Sequence, residues 1–496
     1  MLMITSTPLQ EFRKELTYAP AHEIFAKLYK NYRYHFLLES KQVSLFSGRF
    51  SLIGIDPVLK ISGKDDHFEI TVVNERGHIY FEQINEMDLG FADHFSRNHQ
   101  SIIGTVEPDG EVLEEKMRSK KRNVAQVIRM VLEKFQMPEK TLLGLYGAFS
   151  YDFVRLFEDL QNRLPNNEVN DFTLFLYDSF LFFDHIKQES SLVAFRGSEE
   201  SADRYFSEVF TQLEKPPSPP TYHAGEPSFA LSKDQFQELV KTGQQYIREG
   251  EFVQVVFSNL VKANFSGDPF ALYLKYRDNN PSPYLFYYEL GDEQLVGASP
   301  EMMVRCEDRV VHLRPIAGTI RRGGDPIEDH DLLLELLNNP KERAELDMLV
   351  DLGRSDLRRI CKPNIKMDDY RFVEKYSRVM HTVTHLSGEL RDEYTGLDAL
   401  ISCLNAGTLT GAPKVAAMRT IEKHEPERRG YYGGAVGQLT FSGEVDTAII
   451  IRTAHIRGDQ LRYQSGAGIV YDSDPAAEYE ETMRKAQAFL ETISGP

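Results

Sequence analysis

Two segments of the chain place pairs of carboxylates where they could hold a metal ion. NNPKERAELDMLVDL carries Glu342 and Glu345 three residues apart, and DSDPAAEYEETMRKAQAFL repeats the pattern with Glu478 and Glu481. In each, a capping side chain (Asn339, Asp474) precedes a proline (Pro340, Pro475), which is how a helix begins. The spacing puts each pair on one helix face, with Lys485 one turn beyond Glu481. Carboxylates near a helix N-terminus are stabilised by its dipole, so a solvated first turn explains either pair alone. Two such starts facing each other would gather four carboxylates at one point. Mg²⁺ takes hard oxygen ligands, keeps several waters and often uses only one or two carboxylates plus substrate oxygens. It would neutralise an anionic substrate that a chain of net charge −18 otherwise repels.

Further candidates cluster in the last 200 residues. RPIAGTIRRGGD reads as a strand that stops at Ala317-Gly318-Thr319, where small residues let the backbone approach a ligand and Thr319 could donate to an anion. A strand end followed by a Gly-Gly turn is the plain alternative. ASPEMMV places Glu301 after a β-like run, as a possible general acid. VMHTVTHLSGEL holds His381 and His385; the β-branched residues between them favour a strand, which separates the two by about 13 Å and excludes one shared zinc. NAGTLTGAPK offers Thr408 on a glycine-bounded turn. IIIRTAHI puts Arg452 inside an apolar strand, where a guanidinium needs an anionic partner or a solvated cavity. YQSGAGIVYD ends a strand in Gly466 and Gly468, whose N–H groups could cradle a carboxylate.

The elements that must position these groups alternate in period. FSLIGIDPVLKISG, FEITVVN, FTLFLYDSFLFFDHI, SSLVAF, FVQVVFSNLVKANF and VDTAIIIRTAHIR read as strands; KRNVAQVIRMVLEKF reads as a helix. KDQFQELVKTGQQYIREG reads as another, capped by Ser232 and closed by Gly250. Five prolines in residues 214–228 mark an extended linker between an N-terminal region, 1–213, and a C-terminal region, 229–496. At 496 residues, 41% hydrophobic and 27% charged, the composition is that of a large globular protein. The charge argues against nucleic acid or an anionic membrane as partner, and no apolar run of membrane-spanning length occurs. The first residues mix acid and base and do not read as a secretory signal. Three scattered cysteines without a CxxC pair suit a reducing compartment, so a cytoplasmic location is expected. No Walker loop or dinucleotide fingerprint is present.

The ordered set ASPEMMV, RPIAGT, KERAELDMLVDLGRSD, VMHTVTHL, GTLTGAPK, YYGGAVG, IIIRTAHI and SGAGIVYDSDPAAEYEETMRKA resembles the chorismate-utilising enzymes, most of all the anthranilate synthase large subunits. The motifs span residues 225–494, and LLES, LIGIDP and GLYGAFSYDFVRLFE extend the likeness into the N-terminal half. The resemblance implies an α/β (α+β) fold of two β-sheets packed as a sandwich, with helices outside and the active site in a C-terminal cleft. It implies that Glu345 and Glu481 hold Mg²⁺, with Glu342 and Glu478 in or near its shell. Arg452, Gly466, Gly468, Tyr432 and Lys485 would bind the two carboxylates of chorismate. Glu301 would protonate the leaving C4 hydroxyl, Thr319 and Thr408 would line the pocket, and His381 would assist pyruvate loss.

Two positions choose among relatives. Those adding water at C2 carry an activating lysine where this chain has Gln254; those aminating C4 carry a nucleophilic lysine where it has Ala317. With both lysines absent, ammonia is expected to attack C2, giving anthranilate in the first step of tryptophan biosynthesis. Alternatives are a 2-amino-2-deoxyisochorismate or aminodeoxychorismate synthase and, from another class, a non-catalytic tryptophan-binding regulator. None of Cys306, Cys361 or Cys403 lies in a glycine-rich elbow, so ammonia is expected from a separate glutamine amidotransferase chain in a hetero-oligomer. The resemblance further implies a tryptophan feedback site from Glu39 and Ser40 in LLES with Pro283 and Tyr284 in NPSPY. Glu39 would meet the ammonium group, and the proline and tyrosine would wall a slot for indole.

Overall fold

The computed structural model describes residues 3–4, 7–41, 48–108, 114–376 and 379–495. Its frame is two antiparallel sheets of 13 strands each. Sheet I runs Ile316–Arg321, Val379–Glu389, Val310–Leu313, Met302–Glu307, Val445–Ile449 and Ala435–Thr440, then into the N-terminal strands Gly144–Phe149, Phe172–Tyr177 and Leu59–Lys64. Sheet II runs Gln254–Gly267, Gln460–Ile469, Thr453–Arg457, Glu293–Ser299 and Tyr284–Glu289, then into Phe36–Glu39, Phe50–Gly54 and Ser179–Asp184. Each sheet therefore joins strands from both sides of the proline-rich segment. Within that segment Tyr222–Ala224 itself pairs with Gln254–Gly267.

The alternation of buried residues along these strands faces the sheets toward each other. Phe36 of sheet II stacks on Tyr146 of sheet I, centroids 4.9 Å apart and planes 14° apart. Truncating such a fully buried ring costs about 3–5 kcal/mol. Helices cover the outer faces. Pro340–Ile360 lays Leu346, Leu349, Val350, Leu357 and Ile360 on sheet I, the i, i+3, i+4 spacing of one apolar face. Pro475–Ser494 lies along Gln460–Ile469, where Phe489 stacks on Tyr463 at 4.1 Å. Both helices begin as their sequences predict. Asn339 Oδ1 accepts from the N–H groups of Lys341 and Glu342, Asp474 Oδ1 accepts from Ala477, and proline follows each cap. Ser232 forms a full capping box with Gln235 at the start of Lys233–Arg248.

Three sequence expectations change. VDTAIIIRTAHIR is not one strand: Val445–Ile449 belongs to sheet I and Thr453–Arg457 to sheet II, so Ile450–Arg452 is the corner between them. FTLFLYDSFLFFDHI divides the same way at Asp178, a buried carboxylate paired with Arg76 and Arg196. The helix in KRNVAQVIRMVLEKF covers only Gln126–Lys134, because the Asn123 side chain accepts from Ala125 N–H and turns the chain before it.

Candidate active site

Glu301 follows the Glu293–Ser299 strand and precedes Met302–Glu307, so it stands where the chain passes from sheet II to sheet I. Its carbonyl accepts from Ile449 N–H at 3.0 Å, which fixes the backbone beside the Ile450–Arg452 corner. Thr408 Oγ1 donates to its carboxylate, 3.1 and 3.2 Å from the two oxygens. Burial pushes the Glu301 carboxyl up to about 7, against the Thr408 hydrogen bond and the charges of Lys485 and Arg452. A carboxyl in that range is half protonated at neutral pH and can donate a proton.

The segment Ala317-Gly318-Thr319 does not end a strand. Ile316–Arg321 runs through it, with a bulge between Ala317 and Thr319 and Gly318 at φ +76°. The bulge sets Thr319 opposite His381, and Thr319 Oγ1 lies 2.9 Å from His381 Nδ1. Nδ1 also faces the Gly318 carbonyl at 3.3 Å, the arrangement in which Nδ1 carries the proton and Nε2 is free to accept one. Burial and the Arg452 charge hold His381 down at about 4, so the ring is neutral across the physiological range. An added Cβ at 318 would also lie 3.0 Å from Leu336 and 3.1 Å from Glu342 Oε2, so a side chain there would press on both. The first acidic helix start thus packs against the bulge that carries Thr319.

Arg452 adopts φ +48° in the corner between the sheets, not an extended strand conformation. Among the described residues its half-buried guanidinium has no ion-pair partner, which excludes a structural salt bridge there. Its charge is felt by both Glu301 and His381. Gly466 and Gly468 lie inside Gln460–Ile469, opposite Ser258 and Val256. The Val256 carbonyl accepts from Arg429 at 2.8 Å and the Ser258 N–H donates to Glu425 at 2.9 Å, both away from that strand. The two glycines are therefore in non-hydrogen-bonded pairs, and their N–H groups face the opposite edge. Among the described residues the pairing of Thr453–Arg457 on that edge stops at Tyr463, short of both N–H groups. Lys485 Nζ donates to the Gly466 carbonyl at 3.0 Å, and Tyr432 brings its hydroxyl within 2.9 Å of where a Cβ at 466 would stand.

The four glutamates come within each other's fields. Burial raises Glu345, with Glu342 and Glu481 adding to the rise; burial raises Glu342, with Glu481 adding; burial raises Glu478, with Glu481 adding. Glu481 Oε1 meets Lys485 Nζ at 2.6 Å, and Glu478 Oε1 accepts from Ser473 at 2.7 Å. Among the described residues no three His, Cys, Asp or Glu side chains already form a metal cage. Hard oxygen donors that repel one another suit a divalent cation that brings its own waters.

Of the expected feedback residues, Glu39 and Tyr284 fall on neighbouring strands of sheet II, with Glu39 paired to Leu285, and Ser40 and Pro283 lie just beyond the strand ends. Glu39 is buried and already partnered, accepting from Arg277 at 2.5 Å and Tyr273 at 2.7 Å, which together with His22 hold its carboxyl down at about 2 against burial. Tyr284, one residue from Leu285, projects to the other face and lines a small cavity with Pro283, Met302 and Tyr376. The structure does not bring Glu39 and Tyr284 into one slot. His385 is not part of the site either; its Nε2 faces His312 Nδ1 at 3.0 Å. Sequence reasoning took Gln254 only as a missing lysine. Its amide stands beside Gly468, an added Cβ there lying 2.6 Å from Nε2, and its buried Oε1 has no hydrogen-bond partner among the described residues. Only its place at the start of an apolar strand could have signalled this.

A family model described as chorismate binding enzyme matches residues 90–491. The chain belongs to that family. It is 40% identical over 406 residues to anthranilate synthase component 1 of Neisseria meningitidis serogroup B, covering 78% of this chain and 82% of that one. Among solved structures it is similar to anthranilate synthase component I from Streptococcus pneumoniae, with TM-score 0.69, 30% identity and coverage of 91% and 94% of the two chains. The menaquinone-specific isochorismate synthase of Escherichia coli shares the fold, with TM-score 0.70 at 18% identity over 100% of this chain and 96% of that one.

Proposed function

We propose that this chain is the chorismate-aminating component of an anthranilate synthase, converting chorismate and ammonia to anthranilate and pyruvate with Mg²⁺. The observation that carries the reading is Glu301, a carboxyl held at about 7 against Thr408 and within the field of Arg452, a cation that has no carboxylate partner among the described residues. A dianionic cyclohexadiene supplies the missing anion. Arg452 and the open N–H groups of Gly466 and Gly468 take its carboxylates, with Lys485 and Tyr432 at the rim. Glu301 gives its proton to the C4 hydroxyl as the C4–O bond breaks and water leaves. Ammonia bonds to C2, donating one N–H to the unpartnered Gln254 oxygen. The nitrogen then gives its extra proton to water. Neutral His381 takes the C2 proton through Nε2 as the C3–O bond breaks and the ring becomes aromatic, and the departing enolpyruvate takes a proton on its methylene carbon to become pyruvate.

Glu345 and Glu481 are the residues that would hold Mg²⁺, with Glu342 and Glu478 reaching it through water. Bound there, the ion would supply positive charge opposite a substrate carboxylate. Gln254 and Ala317 argue against water addition and against C4 amination, since neither offers a base or nucleophile. Cys306, Cys361 and Cys403 are all buried as free thiols, and burial pushes each of them up. This supports a cytoplasmic setting and ammonia supplied by a separate glutamine amidotransferase. Tryptophan feedback at Glu39 and Ser40 belongs to the same reading; it requires the ligand's ammonium group to share Glu39 with Arg277.

The test is an incubation of the purified chain with chorismate, Mg²⁺ and an ammonium salt. Anthranilate fluorescence and lactate-dehydrogenase-coupled pyruvate should rise in equal amounts, with glutamine a poor substitute for ammonium. Accumulation of isochorismate, or of an aminated product that keeps its enolpyruvyl group, would refute the reading.

A further inference from the structure

Beside Glu301 and Thr408 lies a cleft open to solvent, lined as well by Asp356 and Lys414. Asp356 comes from the fifth turn of Pro340–Ile360, and Lys414 opens the helix Lys414–His424. Both are buried. Lys414 Nζ donates to Asp356 Oδ2 at 2.6 Å and to the Cys403 carbonyl at 2.9 Å, so one of its three N–H groups is uncommitted. Asp356 Oδ1 is buried with no hydrogen-bond partner among the described residues; Arg359 stands 3.8 Å away, beyond hydrogen-bond reach. A buried carboxylate oxygen without a hydrogen bond is costly, and such an atom beside a polar cleft normally marks a bound water. The cleft is polar and roomy enough to hold more than one water. A water between Lys414 and Asp356 Oδ1 finds one donor and one acceptor already in place.

We propose that this cleft is a proton-return chamber, in which waters ordered by Lys414 and Asp356 reload Glu301 after each turnover. The inference rests on the general-acid role given to Glu301 above. Each catalytic cycle breaks the Glu301 O–H bond, and that proton leaves in the water formed from the C4 hydroxyl. Glu301 remains as a carboxylate facing an occupied substrate pocket on one side and the cleft on the other. A cleft water passes a proton to it, the next water or the Lys414 ammonium replaces that proton, and bulk solvent makes good the last. One proton moves from solvent to Glu301 and nothing is oxidised or reduced. Asp356 and Lys414 are positioning residues, acting through water and touching no substrate.

The test compares a single turnover, with enzyme in excess over chorismate, against the steady state in the Mg²⁺- and ammonium-supplied protein at pH 6, where most Glu301 begins protonated. Asp356→Asn removes the charge that orders the waters. Leu352→Phe fills the cleft and leaves the ion pair intact. The single-turnover rate should stay within about twofold of wild type while kcat falls by about tenfold or more, as loss of a proton-transfer partner does. The solvent deuterium isotope effect on kcat should rise, and added imidazolium or formic acid should restore part of the steady-state rate in Asp356→Asn. A merely structural role slows both regimes alike, and that result overturns the proposal, as does an unchanged kcat in both variants. If Asp356→Asn does not fold, Leu352→Phe decides. Failure of the underlying acid assignment looks different: Glu301→Gln would then complete its single turnover at the wild-type rate.

Discussion

Replacing Glu301 by glutamine keeps the shape of the side chain and its contact with Thr408 while removing the proton it can give. The structure sets the size of the effect. A carboxyl at its ordinary value of 4.5 is protonated to about 0.3% at pH 7, whereas one at about 7 is half protonated, a gain of order 10² in the competent form. With the proton itself gone, Glu301→Gln should lose about 10²–10⁴ in kcat/KM for chorismate, the usual contribution of a positioned acid. kcat/KM reports the free enzyme, so its pH profile should carry the Glu301 value. At fixed free ammonia the wild type should hold level below pH 7 and fall about tenfold per unit above it. At fixed total ammonium the growing ammonia fraction offsets that loss, so the rate should climb to about pH 7 and then flatten. The Thr408 hydrogen bond favours the carboxylate, so Thr408→Val should move the inflection upward. His381, held at about 4, contributes no inflection in this range. Stopped-flow anthranilate fluorescence across pH 5.5–8.5 (a range of about three units around the Glu301 value) reads all of this. A Glu301→Gln enzyme within tenfold of wild type (about 1.4 kcal/mol), or a wild-type profile without a break near 7, refutes the reasoning.

Arg452→Ala should cost kcat/KM far more than Arg321→Ala, because truncating one partner of a buried charge pair costs about 2–5 kcal/mol. Arg321 is exposed and bound to Glu328 in a solvent-screened surface pair; equal losses would mean the carboxylate pocket is misplaced. Glu345→Gln and Glu481→Gln should each abolish turnover and weaken Mg²⁺ binding measured by calorimetry, and wild-type behaviour in either contradicts the two-helix metal site. L-Tryptophan should bind the wild-type protein and bind Ser40→Phe much more weakly; a flat titration of the wild type removes the feedback site and leaves the catalytic assignment untouched.

The most local signals survived the passage from sequence to structure. A capping side chain, a proline and two glutamates three apart are decided within one turn of helix, and both acidic helices start where those residues stand. What could not be read were events set by the partner strand. Glycine within a strand pattern fits an end or a bulge equally well, and only the pairing of Thr319 with His381 shows that Ala317-Gly318-Thr319 is a bulge. Likewise IIIRTAHI contains no glycine or proline to mark the corner at Arg452, because a positive φ carried by arginine leaves no trace in composition. The sandwich itself came from the family resemblance, since the periodicities specify strands and helices but not which strand joins which sheet. Asp356 and Lys414 lie 58 residues apart, and nothing in either neighbourhood announces the cleft they share with Glu301.

The central claim is that ammonia attacks C2 while Glu301 protonates the group leaving C4. The position of nitrogen in the product tests it most directly. The chain, Mg²⁺ and chorismate supplied with ¹⁵N-ammonium should yield a product whose label, located by NMR, sits on the ring carbon next to the carboxylate. Label on the carbon opposite the carboxylate, or an unlabelled product bearing oxygen at C2, would contradict the account.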